Sequence, residues 1–160
     1  MASLGFKKAA RELVRNLLDL EKKSIGVAAP GYFRNRHGSY WPEAAYEQIV
    51  QLYRACIVEA PDRLESLATR YALAAFLRDG LRLEEAAEIC ELLMADRPDR
   101  ASADRNLLAF IEARRGNLER ARALAAAINA DPNARAFRVH EEDLMHEYTE
   151  GQEPNWKGTF

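Results

Sequence analysis

Three histidines, His37, His140 and His146, are the residues best suited to hold a metal or move a proton. His140 and His146 stand six apart in a helical stretch, roughly 240° around the axis, so one ion cannot reach both. The string from His140 to Glu147 therefore lacks the i, i+4 pairing of a helical zinc site, and all three read as surface side chains. Glu84-Glu85 and Glu141-Glu142 are helix neighbours that diverge by ~100°. They read as solvated faces or partners of helix N-termini, not as an acid–base couple. Cys56 and Cys90 lie in apolar helical patterns without CxxC spacing and read as small buried thiols. No serine or cysteine occupies a strand–turn–helix elbow, and no glycine-rich phosphate loop occurs. With no convergent catalytic set, the chain is expected to be no enzyme and to carry no metal or cofactor.

One constellation could bind without reacting. Residues 24–42 hold Tyr32, Phe33, Tyr40 and Trp41, with Arg34, Arg36 and His37 between them. A connection of this length without structure of its own is often functional. Its aromatics could fold back over the first helix pair or grip a partner. Alternatively, they could stack on bases while the arginines meet phosphates. The net charge of −2 argues against a general nucleic-acid binder, which needs a concentrated basic surface. A chain of 160 residues, 48% apolar and 30% charged, is expected to fold as one globular domain over 1–148, followed by a tail at 149–160. No window approaches ~18 uninterrupted apolar residues, so membrane insertion is not expected. Lys7, Lys8 and Arg11 precede the first acid, Glu12, as in an organellar presequence. Cytoplasm is the default location, with the mitochondrial matrix the alternative for a eukaryotic source.

These residues must be positioned by helices, and the helices repeat. Shifted by 35 residues, Leu73-Ala74 falls on Leu108-Ala109, Leu83-Glu84 on Leu118-Glu119, and Ala86 on Ala121. Leu93 falls on Ile128 and Asp96 on Asp131, while Arg15-Asn16-Leu17-Leu18 recurs as Arg105-Asn106-Leu107-Leu108. Each unit reads as a helix carrying a Leu-Ala pair, a stop at glycine, a second helix with a small residue, and a closing proline at Pro61, Pro98 or Pro132. The spacing predicts helices at 5–23, 43–59, 64–79, 83–96, 103–115, 117–130 and 134–148. The last is a cap with Phe137, Leu144 and Met145 inward and Glu141, Glu142 and Asp143 in water. Leu52-Tyr53-Arg54 also spells the signature of a mitochondrial accessory family, but the 35-residue unit explains the same helix.

The pattern of Leu73, Ala74, Gly80, Ala86 and Pro98, then Leu108, Ala109, Gly116, Ala121 and Pro132, resembles the tetratricopeptide repeat family. The resemblance spans about residues 12–133, and Arg70, Arg105, Leu77, Glu112, Cys90 and Ala125 stand at the family's aromatic positions. It implies an all-α, right-handed superhelical stack of three helix–turn–helix repeats plus a capping helix. The first helix of each pair would line a concave groove: Asn16, Leu20 and Lys23, then Tyr71, Ala75 and Arg78, then Asn106, Phe110 and Arg114. Asparagines would bond a partner's backbone, Tyr71 and Phe110 offer apolar contact, and the arginines pair with acids. The resulting expectation is a protein–protein adaptor or scaffold subunit with a peptide or helix in its groove. The alternatives are a chaperone-like holder of a client protein and an RNA-associated repeat protein using the 24–42 loop.

Overall fold

The computed structural model describes residues 30–153, together with Lys8, Glu12 and Arg15, which are helical and exposed. The rest of the expected helix 5–23 and the tail from residue 154 lie outside the described residues. The described chain is mostly helical, with one two-stranded hairpin, and divides into two compact units between Leu81 and Arg82. No described helix is long and apolar enough to cross a membrane.

In the first unit, β1 (Tyr32–Arg34) pairs antiparallel with β2 (Tyr40–Pro42), placing Phe33 opposite Trp41 and Arg34 opposite Tyr40. Part of the expected structureless connection is thus a hairpin. Its turn is closed by the Asn35 side chain, whose Oδ1 accepts from the amides of His37 (3.0 Å) and Ser39 (2.9 Å). Pro42 leads directly into α1 (Glu43–Val58), which packs on α2 (Arg63–Asp79). Pro61 cannot continue α1, and Asp62 then caps α2 by accepting from the Glu65 amide at 2.8 Å. Tyr46, Ile49 and Val50 of α1 are buried, a spacing that puts them on one helical face. Tyr46 stacks on Trp41 and Phe76 at ring separations of 5.7 and 4.7 Å, and its hydroxyl donates to the Phe76 carbonyl at 3.2 Å.

The second unit runs through α3 (Leu83–Asp96), a 3-10 turn (Pro98–Arg100), α4 (Ser102–Arg114) and α5 (Leu118–Asn129). A longer 3-10 turn (Pro132–Phe137) then leads to α6 (Glu141–Gln152). Helix α4 packs on α3, α5 and α6. Its contact with α5 is built on Ala109, Ala113, Ala121 and Ala125, small residues that permit close approach, with Ile128 and Leu144 filling the remainder. Where α3 gives way to α4, the fully buried Asp104 carboxylate takes two hydrogen bonds from Arg97, at 2.7 and 3.0 Å.

Local geometry recurs at the sequence interval of 35. Helices α2 and α4 end at equivalent positions, Asp79 and Arg114, and α3 and α5 start at Leu83 and Leu118. The residues before those starts, Arg82 (φ −87°, ψ 67°) and Asn117 (φ −90°, ψ 61°), share one conformation. Just before them the chain turns left-handed, at Leu81 (φ 63°) and Gly116 (φ 94°). The amides of these two residues bond Arg78 and Ala113 alike, at 3.0 and 3.1 Å. Gly80 is therefore not the left-handed residue that its place after α2 suggests. It is needed because a Cβ there would lie 2.2 Å from the Tyr46 hydroxyl oxygen.

The C-terminal region departs furthest from expectation. Instead of one helix over 134–148, Pro132 opens a 3-10 turn kinked at Ala134 (φ −108°). Asn129 of α5 then holds Val139 in extended chain, accepting from its amide (3.0 Å) and donating to its carbonyl (2.8 Å). Phe137, expected inward, is exposed. Leu144 is fully buried, Met145 half-buried, and Glu141, Glu142 and Asp143 face water. Helix α6 continues to Gln152, into the expected tail, because Gly151 lets its backbone lie against α4: a Cβ there would meet the Arg114 carbonyl oxygen at 2.0 Å.

Candidate interaction surface

Of the nine residues expected to line a groove, Asn16, Leu20 and Lys23 lie outside the described residues. In the first unit, Tyr71, Ala75 and Arg78 lie on α2 and are half-buried, and the Arg78 guanidinium donates to Asp79 at 2.9 Å. Asp79 also accepts the Arg36 amide at its carbonyl (2.8 Å), and its carboxylate lies 3.8 Å from the Arg36 guanidinium. This docks the hairpin turn on the end of α2. Under the 35-residue shift Tyr71 and Ala75 match Asn106 and Phe110, but the counterpart of Arg114 is Asp79, not Arg78.

In the second unit Asn106, Phe110 and Arg114 do form one stripe of α4, and the chain itself covers it. The Asn106 side-chain amide donates to the Phe137 carbonyl at 2.8 Å. Phe110 and Tyr148 pack against the same core cluster. Arg114 is buried and pairs with the equally buried Glu147 of α6 at 2.9 Å. Its charge is thus committed inside the unit, which corrects the expectation that it awaits an acid from a partner.

The loop residues divide in the same way. Trp41 is only 4% exposed, and the half-buried Phe33 packs T-shaped with the rings of Trp41 and Tyr46, 6.1 and 5.0 Å away. One of the four aromatics is therefore core, which leaves the Trp41 faces closed to a base or a partner side chain. Tyr32, Arg34, Arg36 and Tyr40 are half-buried around the hairpin. His37, His140 and His146 are exposed, Cys56 and Cys90 are buried free thiols, and no three metal-ligating side chains converge among the described residues.

What the sequence reading missed is a set of buried charges. Glu112, 1% exposed, accepts from Arg115 (2.7 Å) and Asn117 (2.8 Å) and lies 3.4 Å from the Arg120 guanidinium. It ties the end of α4 to the start of α5, and it stands at the position of the buried Leu77 in the preceding copy. Arg120 also donates to Glu91 of α3. That bond and the Glu112 charge hold its pKa above the ordinary arginine value. Pairing with Glu141 does the same for Arg122. The readable signal was an acid replacing leucine at a repeat core position with arginine and asparagine just beyond it. The buried Glu112 carboxylate is thus held on both oxygens by arginine and asparagine, an arrangement that fixes the geometry of this turn.

Exposed aliphatic side chains stand apart from these networks. Val58 ends α1 at 84% exposure and Leu64 opens α2 at 68%, flanking the same tight turn. Along α1, Ala44, Glu47, Gln48, Gln51 and Leu52 border an open, largely apolar depression of about 600 Å³. Comparison of the sequence with protein-family models gives no match, and neither curated proteins nor solved structures give a significant one.

Proposed function

We propose that the chain is a non-catalytic helical-repeat protein that binds another protein, an adaptor or scaffold subunit of a larger assembly. Its repeats would be of the tetratricopeptide kind, three hairpins wound in a right-handed superhelix and closed by α6. The reading rests on one observation: the left-handed turn after α2, with the Leu81 amide bonded to the Arg78 carbonyl, returns after α4, with the Gly116 amide bonded to the Ala113 carbonyl. Units built this way cannot bury their apolar stripes alone and gain stability by stacking, which leaves an extended face for a partner segment. The exposed Val58 and Leu64 agree with a surface that binds. The buried Trp41 weighs against the RNA alternative, which needs that ring free.

The test is affinity capture from the native cell with the intact chain, read by mass spectrometry, alongside Tyr71→Ala with Ala75→Glu on α2. The expected result is a stoichiometric companion lost from the variant while the helical circular dichroism signal is unchanged. A companion retained by the folded variant would remove α2 from the binding face. Absence of any companion would contradict the binding role.

A further inference from the structure

We infer that the Phe110–Arg114 face of α4 is a helix-docking surface from which α6 is exchangeable. Its intermolecular ligand is an amphipathic partner helix with leucine, glutamate three residues on, and glycine four residues beyond. This inference rests on the protein-binding role and names the chemistry of the partner. Helix α6 displays that chemistry itself. Leu144 enters the core beside Ala109 and Ala113, Glu147 pairs with Arg114, and Gly151 seats against the Arg114 carbonyl where no Cβ fits. Each feature selects: the carboxylate by charge, the glycine by space.

The present occupant is held in a way that allows it to leave. Leu144 is the only large apolar side chain of α6 that is fully buried. Besides the half-buried Tyr148 and the exposed pairing of Glu141 with Arg122 of α5, which water screens, the main contact of α6 is the Arg114–Glu147 ion pair. The attraction of that pair largely offsets the cost of drying both charges, and Arg114 keeps a buried Nε without a hydrogen-bond partner among the described residues. His140 gives α6 no side-chain cap. The chain just before it is anchored independently, by Asn106 on Phe137 and by Asn129 on Val139. Helix α6 can therefore swing out about residues 139–140 while the 3-10 turn stays in place, exposing the α4 face as a unit.

The probe is a fluorescein-labelled peptide with the sequence of residues 140–153. It is titrated into the intact chain and into two full-length variants that eject α6, Gly151→Val and Leu144→Glu. The expected result is at least ten-fold tighter binding to each variant than to the wild type, with a peptide carrying Glu147→Gln losing most of that affinity. Hydrogen exchange of the unaltered chain is expected to show α6 amides exchanging at least ten-fold faster than those of α4. Folded variants that ignore the peptide, or α6 amides as slow as those of α4, would overturn the inference, as would global unfolding of both variants. In each of these cases a companion captured by the wild type through α2 would leave the binding role standing, so the two failures are separable.

Discussion

At the scale of single residues, the two glycines that close first helices serve different ends. Gly116 supplies a left-handed turn, whereas Gly80 makes room for the Tyr46 ring and passes the left-handed conformation to Leu81. Gly116→Ala is expected to cost about 1 kcal/mol, the ordinary penalty for a Cβ at positive φ. Gly80→Ala should cost ~2–3 kcal/mol, because the ring and its hydrogen bond to Phe76 must move. Urea unfolding of the two variants checks this, and equal costs would contradict the distinction. The buried charges separate in the same assay. Arg114→Ala removes the cation beside the buried Glu147 and should cost ~3–5 kcal/mol. Glu112→Leu frees only Arg115, Asn117 and Arg120, which reach water, and should fall within about 1 kcal/mol of the wild type. A loss for Glu112→Leu as large as that for Arg114→Ala would mean that the α4–α5 turn depends on its acid.

At the scale of elements, helices marked by both period and punctuation were legible. α1, α2 and α3 begin and end within a residue of expectation, since Pro61, Pro98 and the apolar spacing all agree. Two features were not legible, because each is set by a contact distant in sequence. The 30–42 hairpin forms around Trp41, whose burial depends on Tyr46 and Phe76. The last helix starts seven residues late because Asn129 takes both polar backbone groups of Val139, a competition no local propensity reveals. Of the candidate groove, the helical stripes were legible but not what covers them: Arg114 reads as a free surface cation until Glu147 is placed beside it. Asn129→Ala removes both clamps and should cost ~2 kcal/mol, with amide exchange rising first over residues 138–140. Uniform acceleration across the whole unit would show that the clamp is not a local anchor.

At the scale of the whole molecule, a 35-residue unit is repeated closely enough to reproduce turns, yet its core positions have diverged, with glutamate for leucine and aspartate opposite arginine. Such divergence keeps the helix pair while altering what each copy shows to its surroundings, as the proposed recognition role would require. The most direct test of that task is the hydrogen-exchange footprint of the intact chain with and without its captured companion. The account predicts new protection along α2 and at the exposed α1–α2 turn, with the core of α5 unchanged. Protection confined to residues 30–42, or no footprint at all, would contradict it.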